Sequence, residues 1–208
     1  MDSEEIEKWD EESERAWKND THDVEFPAVI VTLLQKILPP KALILDAGCG
    51  IGKHVKAFRK LDFYVIGIDQ SEKAVKYAQR LNPEASIHHM RIQDITYADE
   101  FSLIHTCAVL QHSNHERKKQ ILALFFKALK PRGYLLCTEC TFTLETLKLL
   151  KQKNPIVELT DEWTDGYSFS EKGWITFMAE NGFQHIKTIP PWPYYLFQKA
   201  SYIDLIRR

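Results

Sequence analysis

The chain has 208 residues, of which 44% are hydrophobic and 27% charged, which is typical of one soluble globular domain with a proper core. Its formal net charge is −2 and it contains no long basic run, so we expect no nucleic-acid partner. It contains neither an apolar stretch long enough to span a bilayer nor a signal-like N-terminus, so we expect no membrane partner. Nothing in the sequence specifies an oligomeric state.

The four cysteines lie in apolar or glycine-rich segments, which indicates a reducing, cytoplasmic location. Two of them, Cys137 and Cys140, form a C-x-x-C inside a predicted strand, where positions three apart face opposite sides of a sheet. No second pair of ligands with suitable spacing accompanies them. We therefore expect buried thiols and no metal site.

A helical N-terminal extension over about 3–38 precedes an alternation of strand and helix patterns. The predicted strands of the first part span 42–48, 63–69, 86–92, 101–110 and 134–140, and the helices between them span 53–61, 71–82 and 115–130. Strands alternating with helices of this length predict a parallel sheet that is covered on both faces.

The remainder is less regular. Its predicted elements are a helix at 143–153, a polar, turn-rich segment at 154–168, a helix at 170–183 and two strands at 185–189 and 194–200. The link between the last two strands is short, which predicts that they pair antiparallel.

A glycine-rich turn follows the first predicted strand in the stretch LILDAGCGIGKH, residues 43–54. A strand, a glycine-rich turn and a helix in that order place backbone N–H groups where a polar ligand can approach. The nicotinamide-dinucleotide pattern G-x-G-x-x-G requires its third glycine where this chain has Lys53, whereas Gly48, Gly50 and Gly52 alternate here. This spacing argues against an NAD site.

Two aspartates follow neighbouring predicted strands. Asp69 ends the second strand, about 20 residues after the glycine loop, where an acid can accept hydrogen bonds from ribose hydroxyls. Asp94 comes just after the third strand and lies next along the carboxyl edge of the sheet, where ligands bind in such folds. The loop and the two acids together indicate a nucleoside-shaped slot without a pyrophosphate site.

The stretches LDAGCGIGKH, VIGIDQS, RIQDI, FSLIHTCAVLQH and ALKPRGYLL resemble, in this order, the motifs of class I S-adenosylmethionine-dependent methyltransferases, and we expect the small-molecule type. The resemblance is specific over residues 43–140 and looser to about 199. It implies an α/β, Rossmann-like, doubly wound sheet of seven strands in the order 3-2-1-4-5-7-6, with strand 7 antiparallel. The expected single domain, 1–208, comprises a helical extension or lid (1–40), a cofactor-binding core (41–142), an insert or lid (143–169) and a C-terminal helix with an antiparallel strand pair (170–208).

The same resemblance implies S-adenosylmethionine as the cofactor, with S-adenosylhomocysteine as its product. Asp46 and the glycine loop would hold the methionine part, Asp69 the ribose hydroxyls, and Asp94 the adenine amino group. Structural alternatives for these three acids are a cap on the loop, a charge at a helix N-terminus and an ordinary turn residue, respectively. The residues that the resemblance assigns to the cofactor are Asp46, Gly48, Cys49, Gly50, Gly52, Asp69, Gln70, Gln93, Asp94 and Ile95.

By the same resemblance, residues of the stretch AVLQH, 108–112, would line the methyl-transfer site, and the catalytic candidates are Gln111 and His112. The ordinary pKa of a histidine suits removal of a proton from an acceptor. The alternative is that this segment caps the helix that begins near His115, through Ser113 or Asn114.

Aromatic side chains at two places are candidates for a lid over the substrate. Trp9 and Trp17 lie eight residues apart, near the same face of a helix, either docking it on the core or covering the site together with Arg15. Trp163 and Tyr167 are the candidates in the insert. We expect an enzyme that methylates a small molecule; the alternatives are a catalytically silent cofactor-binding subunit and a protein or tRNA methyltransferase.

Overall fold

A computed structural model of the protein describes residues 3–19, 23–139, 141–142, 163–164, 168–190 and 194–201. Its main sheet has seven strands in the order β3-β2-β1-β4-β5-β7-β6. The strands β1 to β5 run parallel, whereas β7 lies antiparallel to both β5 and β6, so the predicted topology is confirmed. The strands are β1 Leu43–Ala47, β2 Tyr64–Asp69, β3 Ser86–His89, β4 Phe101–Thr106, β5 Leu129–Thr138, β6 Phe183–Ile189 and β7 Tyr194–Lys199.

Six helices are described around this sheet: α1 Ser3–Asn19, α2 Ala28–Ile37, α3 Lys53–Lys60, α4 Glu72–Leu81, α5 His115–Ala128 and α6 Glu171–Glu180. Three of them begin at a residue whose side chain accepts from a backbone N–H of the first turn, namely Ser71, Asn114 and Ser170. Three short strands, Thr141–Phe142, Trp163–Thr164 and Ser168–Ser170, form a second small sheet. The predicted helix at 143–153 lies outside the described residues.

Two predicted strands extend too far at their carboxyl ends. β3 ends at His89 and β4 at Thr106, and the residues beyond them form 3₁₀ turns at Ile92–Asp94 and Leu110–His112. The apolar residues Ile92 and Leu110 are buried, but in these turns. Their apolar character therefore reflects burial beneath the carboxyl edge rather than continuation of the strand.

The fifth strand begins earlier than predicted, at Leu129, directly after α5. The sequence PRGY within it predicts a turn, and Arg132 does adopt a left-handed conformation with φ of 60°. The pairing with β4 shifts register at this point, between Phe101 and Leu103. The turn is thus accommodated as an irregularity inside a longer strand.

Both faces of the sheet are covered by apolar layers, as expected of a mainly parallel sheet. One layer includes Phe125 of α5 and Trp174 of α6, and the other includes Leu34 of α2 and Phe58 of α3. All four side chains are at most 1% exposed. The two layers fix the strands, so that the carboxyl ends of β1, β2 and β4 lie side by side.

Candidate active site

A cavity of about 280 Å³ lies between the carboxyl edge of the sheet and helix α1. One wall consists of the glycine loop after β1, the end of β2 and the segment after β4. The opposite wall is one face of α1, and α5 together with the turn after β3 closes the rim. The size is near the lower end for small-molecule sites.

The glycine loop approaches its neighbours too closely for side chains at two of its positions. Gly48, Gly50 and Gly52 all have positive φ, at 77°, 53° and 83°. A Cβ on Gly48 would lie 2.4 Å from a methyl group of Val109, and one on Gly52 would lie 2.9 Å from Cβ of Ala78. A Cβ on Gly50 would meet nothing within 4 Å. The absence of a side chain at Gly48 and Gly52 therefore permits close packing against Val109 and Ala78, whereas the space beside Gly50 is open.

The structure divides the loop between the cavity and the core. Gly48 and Gly50 line the cavity, whereas Gly52 and Cys49 do not. The carbonyl oxygen of Gly52 accepts from Nδ2 of Asn82 at 3.0 Å, which attaches the loop to the end of α4. The thiol of Cys49 is buried against β2, and burial raises its pKa well above the ordinary value.

Asp69, at the end of β2, connects the glycine loop after β1 to the residues that follow β2. Its Oδ2 accepts from the backbone N–H of Gly50 at 2.8 Å, and its Oδ1 accepts from that of Ser71 at 2.9 Å. Burial raises the pKa of the Asp69 carboxyl, and these two hydrogen bonds oppose the rise. Asp69 and Gln70 both line the cavity. This places a carboxylate beside the open face of Gly50, where hydroxyl donors of a ligand can reach it.

Of the three cofactor residues predicted in the turn after β3, one, Gln93, lines the cavity. Asp94 accepts from Nε and Nη2 of Arg91 at 2.7 and 2.8 Å, points to solvent and does not line the cavity. The pairing with Arg91 lowers the pKa of the Asp94 carboxyl. Gln93 and Ile92 line the cavity instead, and Ile95 is buried in the core. The adenine roles of Asp94 and Ile95 remain predictions.

Asp46 lies below the loop and not in the cavity lining. Its Oδ1 is 2.7 Å from Nδ1 of His105, the residue opposite it on β4, and both side chains are at most 2% exposed. The ring of His54 lies 4.6 Å from that of His105 between centroids. Burial, together with the neighbouring His105, lowers the pKa of His54 to about 3, so His54 is neutral at pH 7. Asp46 and these two histidines form a largely buried polar cluster beside the loop, and the cofactor role of Asp46 remains a prediction.

Helix α1 forms the second wall. Trp9, Glu12, Ser13 and Ala16 line the cavity at the spacing of one helix face. The ring of Trp9 meets His112 edge-on, with centroids 4.9 Å apart, and His112 also lines the cavity. Gln111 does not line it, so the structure separates the two catalytic candidates.

The adjacent face of α1 docks on α4. Trp17 stacks on Tyr77 with centroids 4.7 Å apart and an interplanar angle of 9°. Asp10 accepts from the hydroxyl of Ser71, the residue that caps α4. Among the other lid candidates, Arg15 is exposed. Trp163 belongs to a short strand of which only the backbone is described, and Tyr167 lies outside the described residues.

The stretch AVLQH, which was expected to line the methyl-transfer site, contributes Ala108, Val109 and His112 to the cavity, and Ala108 has a positive φ of 56°. A non-glycine residue in this conformation is strained, which is common at binding sites. Cys107, directly before this stretch, also lines the cavity and was not predicted. Helix α5 contributes Arg117 and Ile121. No sequence signal marked the residues of α5.

Two negative findings concern only the part of the chain that the structure describes. In it, no group of three or more histidine, cysteine, aspartate or glutamate side chains is arranged to hold a metal ion. No helix in that part combines the length and the apolar character needed to cross a membrane.

Comparison with known proteins gives a match of residues 44–133 to a methyltransferase domain family. A tRNA (carboxymethyluridine(34)-5-O)-methyltransferase of Arabidopsis thaliana is 30% identical over 129 residues, covering 61% of this chain and 31% of the relative. A dTDP-4-amino-2,3,4,6-tetradeoxy-D-glucose N,N-dimethyltransferase of Saccharopolyspora spinosa is 35% identical over 78 residues, covering 38% of this chain and 31% of the relative. The chain thus spans about a third of the length of these two relatives.

Among solved structures, the fold resembles a 1,6-didemethyltoxoflavin-N1-methyltransferase of Burkholderia thailandensis with bound 1,6-didemethyltoxoflavin and S-adenosylhomocysteine. The TM-score is 0.68 at 15% identity, covering 95% of this chain and 87% of the other. This likeness concerns the fold. The family match covers residues 44–133, less than half of the chain, and this part resembles a methyltransferase domain.

Proposed function

We propose that the protein transfers a methyl group from S-adenosylmethionine to a small molecule that is enclosed between the carboxyl end of β4 and helix α1. The observation that carries this proposal is the position of α1, which covers the cavity with Trp9 directly against His112. An acceptor in such a space is held on two sides and separated from water, which favours small molecules over extended polymers.

The residues on the sheet side fit the cofactor. The carboxylate of Asp69 has acceptor capacity for ribose hydroxyls, and the open face of Gly50 leaves room for the ligand. S-adenosylmethionine supplies a methyl group that is already activated by its sulfonium. The protein therefore needs to align an acceptor for in-line displacement and to exclude water. Trp9 and Val109, which line opposite parts of the cavity, are placed to do both.

His112 is the candidate for handling the acceptor proton. It lines the cavity at the end of the 3₁₀ turn after β4, and its ring is oriented by Trp9. An imidazole there can accept a proton from a neutral amine or hydroxyl as the acceptor is methylated. We propose this role for His112 and not for Gln111, which lies outside the lining.

Two kinds of relative bear on the acceptor. The Saccharopolyspora relative is named as an N,N-dimethyltransferase of a nucleotide-linked amino sugar, which favours a small amine. The Arabidopsis relative is named as a tRNA methyltransferase, which makes tRNA the second candidate. The formal net charge of −2 and the cover formed by α1 favour the small amine, because tRNA binding draws on basic surface.

Radiolabelled S-adenosylmethionine distinguishes these acceptors. We expect label to enter members of a small-molecule library enriched in amines and not to enter bulk tRNA or protein. The variant His112→Asn should lower kcat more than cofactor affinity. Label in tRNA alone would contradict the small-molecule proposal. Tight binding of S-adenosylhomocysteine without turnover on any acceptor would identify a silent cofactor-binding subunit instead.

A further inference from the structure

The segment directly after β4 lines the cavity in a strained conformation. Cys107, Ala108 and Val109 all belong to the lining, and Ala108 has a φ of 56°, in the left-handed region that favours glycine. A methyl group of Val109 lies so close to the glycine loop that a Cβ on Gly48 would be 2.4 Å from it. The local backbone does not favour this conformation, so a group outside the segment must hold it in place.

The hydroxyl of Thr138 holds the segment from the neighbouring strand. Thr138 is the last residue of β5, is 7% exposed and does not line the cavity. Its Oγ1 accepts from the backbone N–H of Ala108 at 2.8 Å and donates to Sγ of Cys107 at 3.6 Å. Thr138 is itself fixed by the sheet, because it pairs with Tyr194 of β7. One hydroxyl thus uses its donor and an acceptor site on two consecutive residues of the segment.

We propose that Thr138 is a positioning residue for methyl transfer, because its hydroxyl holds the segment after β4 in the conformation that forms the wall against which the acceptor is aligned. The inference rests on the proposed function, since it assumes that an acceptor is methylated beside this segment. In-line displacement tolerates little misplacement of the reacting atoms, so a small shift of the wall lowers the rate of transfer. Cofactor affinity depends less on Thr138, because the hydrogen bonds of Asp69 to backbone N–H groups do not involve the segment.

The first test uses the acceptor that takes up label from S-adenosylmethionine. Thr138→Val keeps the branched shape of the side chain but removes the hydroxyl, and we expect kcat to fall about 10- to 100-fold. The affinity for S-adenosylhomocysteine, measured by calorimetry, should change by less than about threefold. Thr138→Ser keeps the hydroxyl and should retain most of the kcat of the unmodified protein.

Thr106→Val is the matched control. Thr106 is the last residue of β4 and is fully buried, and its hydroxyl has no hydrogen-bond partner among the residues that the structure describes. The same substitution there removes a hydroxyl that holds no neighbour, so kcat should not change. Thermal unfolding without ligand checks that each variant is folded.

The strain at Ala108 gives a second test. Glycine adopts a positive φ without steric cost, so in an Ala108→Gly background the segment should depend less on Thr138. Thr138→Val should then lower kcat by less than about threefold, a non-additivity that general destabilisation would not produce.

Hydrogen exchange followed by NMR tests the same contact without an acceptor. The backbone amide of Ala108 should exchange at least about tenfold faster in Thr138→Val, because its hydrogen-bond acceptor is gone, and at an unchanged rate in Thr106→Val.

A kcat of Thr138→Val equal to that of Thr106→Val, or unchanged exchange of the Ala108 amide, would overturn the proposal. A loss of affinity for S-adenosylhomocysteine as large as the loss of kcat would also overturn it, because Thr138 would then support the cofactor site. Absence of methylation of any acceptor by the unmodified protein would instead contradict the proposed function, so the two failures are distinguishable.

Discussion

The two walls of the cavity are held in place by different interactions. The sheet wall, with Gly48, Gly50 and Asp69, directly follows the buried strands β1 and β2. The carboxylate of Asp69 joins its backbone by accepting from two N–H groups, at 2.8 and 2.9 Å. The α1 wall rests on α4 through one aromatic stack and polar contacts between partly exposed side chains, such as the ion pair of Glu14 with Lys73 at 3.3 Å. We therefore expect the sheet wall to determine cofactor affinity and the α1 wall to control access to the cavity.

The largest expected effect concerns packing of the sheet wall. Gly48→Ala should destabilise the fold by about 3 kcal/mol, because the new Cβ collides with Val109 and φ is positive. Gly50→Ala is the matched control: it has the same kind of φ but an open environment, so it should cost about 1 kcal/mol. Urea unfolding measures both. Equal losses would show that packing against Val109 does not constrain the loop, and Val109→Ala should partly rescue Gly48→Ala.

The next effect concerns cofactor affinity. Asp69→Ala should weaken binding of S-adenosylhomocysteine by about 1.5–3 kcal/mol, or about 10- to 100-fold, because a charged acceptor of hydrogen bonds is lost. Asp94→Ala should change the affinity by less than about twofold, since its carboxylate is paired with Arg91 outside the cavity. Calorimetry measures both variants. The reverse ranking would restore the role that the sequence predicts for Asp94.

Affinity should also depend on pH through Asp69. Burial favours the protonated carboxyl in the free protein, and protonation removes an acceptor that the ligand needs. Binding should therefore weaken as the pH falls through the raised pKa, by at most about tenfold per pH unit below it. Asp69→Asn carries no titrating group and should bind weakly with a flat profile. An equally steep profile in Asp69→Asn would assign the pH dependence to another group.

Substitutions in the α1 wall should have the smallest effects on the equilibrium affinity for S-adenosylhomocysteine. They should change its dissociation rate instead. Trp17→Ala removes the stack on Tyr77 and should raise the dissociation rate of S-adenosylhomocysteine about three- to tenfold. Arg15→Ala, on the exposed side of the same helix, is the control and should leave the rate unchanged. Stopped-flow displacement measures the rates. A large loss of stability in Trp17→Ala would show that α1 is part of the core and not a separable cover.

The sequence predicts more of the sheet wall than of the α1 wall. The glycine loop and Asp69 lie in local patterns whose geometry comes from strand, turn and helix, so this wall was predictable, whereas the strand order was what the family resemblance implied. The pairing of Asp46 with His105 depends on the register between β1 and β4, which the local pattern does not contain. The outward position of Asp94 and the position of Gln93 at the cavity depend on contacts with Arg91 and Arg117, which join side chains in space and are not part of a local pattern.

For the α1 wall, the sequence predicts a helix but not the partner of each aromatic side chain. Two neighbouring faces of α1 are used, one with Trp9 toward the cavity and one with Trp17 toward α4. The spacing of the two tryptophans predicts a helix with an aromatic side, but it does not assign each ring to a partner. That assignment follows only from the position of α4, which the sheet determines.

Calorimetric titration of the unmodified protein with S-adenosylhomocysteine and, separately, with NAD tests the central claim most directly. The structure predicts one site per chain for S-adenosylhomocysteine, no binding of NAD, and loss of affinity in Asp69→Ala. Binding of NAD alone, or an affinity for S-adenosylhomocysteine that Asp69→Ala leaves unchanged, would contradict the assignment of this cavity to the methyl donor.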